Sequence, residues 1–349
     1  MTNDCKKRNI EEYATILIPT MCRYEHLKRC VDSLSKNKLA EKTELYIGID
    51  YPPEEKYADG WKKVTEYVQS EVYGFKKINL YIHKSNLGAV GNAVFLLNKA
   101  KETHSRFIFT EDDNEFSLNY LEYMNHMLEI YKDDENIIAV SGYNYPMEVD
   151  SNNNATYFNN VYFAALGFGG WFEKYDLMVR NMTSNWLYER YSNSAVMAKL
   201  RRYAPNQFCN FVKGFLGYTQ LIEKDNTVWK MDLTYGLYMF FENKKMVYPV
   251  VSKVKNWGYD GSGVNCDLAS YDEKKPVSHR NFNSNEQKLD TRVSFDFCGT
   301  VTDEENSLLM DKVNNYFFIP NSELWRSYIA YVISRLLGVK AVRKIIYRN

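Results

Sequence analysis

Nothing in this 349-residue sequence is long and apolar enough to read as a membrane span, since no run approaches the roughly 18 residues such a helix needs. The lysines of the opening MTNDCKKRNIEEY are followed by no apolar stretch of the kind that directs export. The six cysteines (Cys5, Cys22, Cys30, Cys209, Cys266, Cys298) include no C-x-x-C pair, and Cys22 and Cys30 fall on what reads as a strand end and a helix. That scatter argues against a disulfide framework and fits a reducing cytoplasm. None of the five histidines is paired at metal-ligand spacing, and neither a G-x-S-x-G elbow nor a catalytic-cysteine arrangement occurs. Net charge is also missing: 44 basic residues balance 44 acidic ones, so no global field favours nucleic acid, and an anionic ligand must be held by a local site. There is no internal repeat and no low-complexity segment.

What is present is an ordinary globular composition, 45% hydrophobic and 25% charged, in a chain long enough for one large α/β domain with an appended region or for two lobes sharing a cleft. Twenty-nine tyrosines and six tryptophans suit sugar-binding surfaces, although an AT-rich genome would raise tyrosine as well. Apolar runs at Thr15–Pro19, Leu45–Ile49, Ile78–Ile82, Phe107–Phe109 and Ile137–Ser141 predict strands. Between them, helical periodicity appears after Leu27, over Trp61–Val72, over Ala89–Lys101 and over Leu118–Tyr131. This alternation predicts a mostly parallel sheet with helices on both faces. The polar, turn-forming residues 150–154 end that first half. Beyond them the pattern loosens, with helices expected over Leu216–Leu221 and Tyr235–Phe241, a strand over Val247–Val254, and polar loop over Gly258–Phe318.

In open parallel sheets ligands bind beyond the carboxyl ends of the strands, so the loops there are where chemistry is expected. Thr20 and Arg23 follow the first strand, Asp50 the second, Asn86, Gly88 and Asn92 the third, and Glu111, Asp112 and Asp113 the fourth. Three adjacent carboxylates repel one another unless a cation neutralises them. A hard Mn²⁺ or Mg²⁺ ion suits oxygen ligands, takes one or two protein carboxylates and completes its shell with phosphate oxygens and water. The same residues also read as a solvated acidic turn capping the next helix. Asp50 can accept hydrogen bonds from a uracil or ribose, or can be a turn residue before Pro52 and Pro53. SNLGAVGN, residues 85–92, is neither a Walker loop nor a dinucleotide fingerprint, and a plain strand-to-helix turn accounts for its glycines equally well.

The opening ILIPTMCRYEHLKRCVDSL resembles glycosyltransferase family 2. The EDD triplet followed by Asn114-Glu115-Phe116 is similar to the acidic motif of N-acetylglucosaminyltransferase I and related bacterial polysaccharide enzymes. The resemblance, which covers roughly residues 13 to 270, implies the GT-A fold. It implies an inverting, metal-dependent transfer of a hexosyl or N-acetylhexosaminyl group from a UDP-sugar to a carbohydrate or lipid-linked saccharide, in bacterial surface polysaccharide synthesis. It further implies Asp113 on the metal, Asp112 on the ribose and Glu111 in support. Gly167–Trp171 (GFGGW) resembles the segment lining the donor-sugar pocket of such enzymes, so Gly170 and Trp171 are expected there, with Trp171 stacked on a sugar; a buried tight turn is the alternative. Asp232 lies among apolar and aromatic residues before a helical run, and since the related enzymes carry an acid in a tryptophan-containing segment there, the resemblance implies it as the base that takes the acceptor hydroxyl proton. Asp225 stands in reserve, and a helix N-cap is the other reading of Asp232. Tyr259, Asp260 and Ser262, in a glycine-rich stretch after a strand, look like a loop over the site, or an ordinary surface loop. His279 lies in a late polar region where some relatives complete a metal or phosphate site, but reads as a surface residue.

Three parts follow: a nucleotide-sugar-binding half over residues 1–150, an acceptor and catalytic half over 151–320, and a basic amphipathic helix over 321–349. In that tail Leu324, Ile329, Val332, Ile333, Leu336, Leu337 and Val339 alternate with Arg326, Arg335, Lys340, Arg343, Lys344 and Arg348, against the one acid Glu323. It can lie on the anionic inner face of the cytoplasmic membrane, pack on the main domain, or pair two subunits as a homodimer. Nucleotidyl transfer remains a second enzymatic reading, although its glycine-rich signature is absent. A non-catalytic carbohydrate-binding protein of GT-A descent is the third.

Overall fold

Apolar residues at nearly every position of TILIPT, flanked by polar turns, suit a strand buried on both faces, and Thr15–Thr20 forms β1. α1 (Tyr24–Ser35) then buries Leu27, Cys30, Val31 and Leu34, the positions that recur at helical spacing. The computed structural model describes residues 10, 12–147, 149, 154–217, 221–223, 225–262 and 287–346. Cys5, Cys266, Gly263, His279, Arg348 and residues 150–153 lie outside them. The alternation continues through β2 (Glu44–Ile49), α2 (Ala58–Ser70), β3 (Lys77–Ile82), α3 (Gly88–Lys101), β4 (Arg106–Phe109), the short β5 (Asn114–Phe116), α4 (Tyr120–Ile130) and β6 (Ile137–Ser141).

The second half is more helical than its sequence suggests. β7 (Thr156–Asn159) and β8 (Phe168–Trp171) are followed by α5 (Phe172–Asn181), α6 (Ser184–Ser192), α7 (Ser194–Tyr203), α8 (Pro205–Phe215) and α9 (Asp232–Phe241). Of the helix expected over Leu216–Leu221, residues 218–220 lie outside the described residues; α8 itself ends at Phe215, with Gly217 at φ +104°. The strand expected over Val247–Val254 is two: β9 (Lys245–Pro249) and β10 (Val254–Asn256), which pair with different partners. Within the segment expected as loop lies α10 (Asp303–Tyr316). Thr302 begins it with a reciprocal capping box, its Oγ1 accepting from the Glu305 amide while Glu305 Oε2 accepts from the Thr302 amide. The tail forms α11 (Asn321–Leu337) and α12 (Val339–Ile346), separated by Gly338 at φ +84°.

The main sheet has eight strands in the order β3-β2-β1-β4-β8-β6-β9-β7. Six run one way, while β8 and β7 are reversed, antiparallel to their neighbours. β1 is the switch point. The chain adds β2 and β3 on one side of it and then returns to lay β4 on the other, which opens a crevice at the carboxyl ends of β1 and β4. Reversed β8 lies between β4 and β6, so residues from beyond 154 complete the sheet begun by the first half.

Candidate active site at the sheet switch point

At the end of β1, Thr20 Oγ1 donates to Asp112 Oδ2 at 2.6 Å, joining the two strands that flank the crevice. Arg23, just before α1, spans the acidic loop. One guanidinium nitrogen is paired with Asp112, and the other lies 3.0 Å from Asp113 Oδ2. Part of the positive charge that the acidic loop requires is therefore supplied within the chain by Arg23. On its far side Asp113 Oδ1 accepts from Asn256 Nδ2 at 2.8 Å, and the same amide nitrogen reaches Asn114 Oδ1 at 2.9 Å.

One guanidinium does not balance three carboxylates. Burial pushes the Asp113 carboxyl up, against the pull of Arg23 and with the push of Asp112. Glu111 carries open surface but is hemmed in by protein on its other sides. Lost hydration, then Asp113, Asp232 and Asp112, push it up to about 8. The cluster thus holds more negative charge than its surroundings neutralise.

The loop after β10 reaches this cluster because β10 pairs antiparallel with β5, placing Asn256 opposite Asn114. Trp257 donates its amide to the Asp113 carbonyl at 2.8 Å and its indole to Glu115 Oε2 at 2.8 Å. A Cβ at Gly258 would collide with the Asp113 carboxylate, which is why a residue without a side chain stands there. Asp260 Oδ2 lies 3.2 Å from His26 Nε2. Of the loop residues predicted from sequence, Asp260 thus sits beside α1; Ser262 donates its amide to Asp260 at the exposed turn. Sequence reasoning did not single out His26 or Asn256; only their nearness to Arg23 and to the Trp-Gly pair pointed that way.

Asp50 and Asn86 are brought together. Asp50 Oδ1 accepts from the Leu87 amide at 2.8 Å and Oδ2 from Asn86 Nδ2 at 3.2 Å, so the loops after β2 and β3 lock at the crevice rim. Gly88 opens α3 at φ +73° with empty space where a Cβ would be. Asn92 is turned inward. Its amide donates to the Gly48 carbonyl at 2.7 Å and its oxygen meets His83 Nε2 at 3.1 Å, so it positions β2 and presents no free group to a ligand. Its fit also explains Gly48, where a Cβ would strike that amide.

Across the crevice, Asp232 is the first residue of α9. It too carries open surface while protein crowds it, and lost hydration pushes its carboxyl up to about 7 against the pull of the Ala165 amide. Its field reaches Glu111 and the buried Tyr145 and Tyr248. Asp225, the reserve acid, instead closes a turn, accepting from the Thr227 amide at 3.1 Å and hydroxyl at 2.8 Å. Gly170 and Trp171 are corrections to the expected donor-sugar pocket. Because β8 is antiparallel to β4, Trp171 lies opposite Arg106 and Gly170 opposite Phe107, towards the amino end of β4 and away from the crevice. Trp171 is buried, with Lys174 Nζ 4.0 Å above its ring centroid. The crevice end of that segment is Ala165 to Gly167.

Among the described residues no group of three or more His, Cys, Asp or Glu side chains is arranged to hold a metal. The donor chemistry nevertheless suits a hard cation. Asp112 and Asp113 offer carboxylate oxygens with spare lone pairs in a cluster short of positive charge, and a phosphate-bearing ligand with water would fill the other positions.

No protein-family model matches the chain, and no curated protein matches it. Among solved structures it is similar to S. aureus TarS, at 14% identity and TM-score 0.28, over 34% of this chain and 20% of that one. A structure of TarS residues 1–349 gives 9% identity and TM-score 0.40, over 95% of this chain and 83% of that one. A mannosyltransferase from Pyrobaculum calidifontis, in complex with GDP-Man and Mn²⁺, gives 14% identity and TM-score 0.32 over 50% of each chain. The match thus spans half or less of the mannosyltransferase and of the first TarS structure.

Proposed function

We propose that the chain is an inverting, metal-dependent glycosyltransferase of the GT-A type. It moves a hexosyl or N-acetylhexosaminyl group from a UDP-sugar to a carbohydrate or lipid-linked saccharide acceptor, in bacterial surface polysaccharide synthesis on the cytoplasmic side. The observation that carries the reading is the opposition of two acidic elements. A surplus of carboxylate sits at the β1/β4 switch point, and one isolated carboxyl, Asp232, faces it with a proton affinity near neutrality.

In this reading the rim formed by Asp50 and Asn86 borders the nucleoside. Arg23, held on Asp112 and Asp113, is the chain's own cation beside the diphosphate. Asp113, with Asp112 beside it, would hold Mn²⁺ or Mg²⁺. That ion, when bound, stabilises negative charge on the departing diphosphate. The acceptor hydroxyl oxygen forms its bond to the anomeric carbon on the face opposite the leaving group, the bond from that carbon to the diphosphate oxygen breaks with its electron pair, and the hydroxyl proton passes to an Asp232 oxygen. A carboxyl with a pKa near 7 is suited to that transfer, because the basic form is available and is still a competent acceptor. Gly258 lets the loop after β10 lie against Asp113, and Tyr259, Asp260 and Ser262 extend it towards the acceptor.

Isothermal titration with UDP and GDP, each with and without Mn²⁺, tests the donor half on the chain and on Asp113→Ala. The expected result is Mn²⁺-dependent UDP binding that Asp113→Ala loses. Absence of nucleotide binding under every condition overturns the proposal.

A further inference from the structure

α11 faces the wrong way for a helix on a purely water-exposed surface. The residues it buries fully against the body are Ser327, Tyr331 and Ser334, with Leu324, Tyr328, Ala330 and Val332 half-buried beside them. Ser334 Oγ and the Tyr191 hydroxyl lie 2.7 Å apart, and Ser327 hydrogen-bonds Cys209. A second set of large apolar side chains points outward. Trp325, Ile329, Ile333, Leu336 and Leu337 are all exposed, Leu336 to 78% and Leu337 to 60%. At the helical repeat these five fall in an arc of about 120°, which makes them one stripe. A soluble helix normally turns such a stripe inward and leaves serines outside.

The charge around the stripe has one sign. Arg326, Arg335 and Lys340 are exposed and enter no ion pair among the described residues. The acid of α11, Glu323, is already paired with Lys213 of α8. A second copy meeting this face about a two-fold axis would bring the same cations against each other. An anionic lipid surface satisfies both features, taking the apolar stripe at the acyl boundary and the cations among its phosphates. No helix among the described residues is long and apolar enough to cross a membrane, so α11 would lie along the surface.

We propose that α11 and the start of α12 form a docking face for an anionic lipid bilayer, with Trp325, Ile329, Ile333, Leu336 and Leu337 entering the headgroup boundary and Arg326, Arg335 and Lys340 meeting lipid phosphates. The proposal does not depend on the transferase reading.

The test is co-sedimentation of the full chain with vesicles of phosphatidylcholine mixed with phosphatidylglycerol, compared with vesicles of phosphatidylcholine alone. The chain pellets with the anionic vesicles and much more weakly with the neutral ones. Leu336→Glu with Leu337→Glu abolishes pelleting while thermal unfolding stays unchanged, since both side chains are largely exposed. Arg335→Gln with Lys340→Gln, which leaves the stripe intact, weakens binding to anionic vesicles roughly 25-fold, each basic residue being worth about a factor of five. Failure to pellet with anionic vesicles overturns the proposal, as does pelleting indifferent to both double variants. A concentration-dependent dimer that Leu336→Glu dissociates, without vesicle binding, overturns it in favour of a second copy.

Discussion

Replacing Asp232 with asparagine isolates the proton that faces the acidic loop across the crevice. An aspartate in water titrates near 3.9, whereas crowding by protein raises Asp232 to about 7, so at pH 5.5 the folded chain holds this proton almost fully and the unfolded chain has lost it. The sign follows from linkage: where the native state binds more protons, stability falls as pH rises. The contribution of Asp232 is therefore present below about pH 4 and is lost progressively as pH climbs to about 7. Asp232→Asn should flatten that part of the stability profile, most visibly between pH 5 and 7. Carbon-13 NMR of aspartate-labelled protein measures the group directly, and one carboxyl resonance with a midpoint near 7 should vanish in Asp232→Asn. In a transferase assay kcat/KM should rise about tenfold from pH 6 to pH 8, as the basic fraction rises from about a tenth to about nine-tenths. A midpoint near 4, or an Asp232→Asn stability change that is the same at every pH, would refute the argument from crowding.

Arg23→Met strips the acidic loop of its internal cation, so Glu111 and Asp113 should titrate higher still and the unliganded chain should unfold more easily at pH 8 than at pH 5, as thermal melts across pH will report. Gly258→Ala forces a methyl group against the Asp113 carboxylate and should weaken Mn²⁺-dependent UDP binding at least tenfold in calorimetry; unchanged binding would place the loop elsewhere in solution. Burial pushes Lys253 down to about 8 while it is paired with Asp290, which Arg292 also grips, so Asp290→Ala strands a buried ammonium and should cost about 3–5 kcal/mol in denaturant unfolding. The double change Lys253→Met with Asp290→Leu should cost far less.

The first half of the fold was legible because β1 to β4 and the helices between them carry their periodicity in local sequence, and their alternation gives the mostly parallel sheet, though not the order of its strands. The second half was read less well: α8 carries a helical stripe in Phe208, Phe211, Val212 and Phe215 that was passed over, whereas α6 buries residues such as Tyr191, stacked on Phe215 at 3.9 Å, without so regular a pattern. α10 had a readable signal in Thr302 and Glu305, which was passed over inside a polar stretch. At the site, the acidic triplet marked the crevice, but nothing local revealed that Arg23 lies across it. That pairing spans 89 positions and depends on β1 and β4 being neighbours. The glycines of GFGGW misled for a related reason. Their role is close packing, with Gly169 lying where a Cβ would meet Met124 and the Phe107 carbonyl, and strand direction, invisible in sequence, carries Trp171 away from the crevice.

That reversed strand also acts as a seam. β8 is laddered to β4 on one edge and to β6 on the other, so the wall bearing Glu111 and the wall bearing Asp232 share one continuous fabric, and prising them apart would tear one of these ladders along its length. The width of the crevice is accordingly a gauge cut into the sheet, and adaptation to ligands of different size falls to the loops. Variants that accept bulkier ligands should carry their changes in the segment after Asn256 or between Asp225 and Asp232, and leave Phe168 to Trp171 untouched.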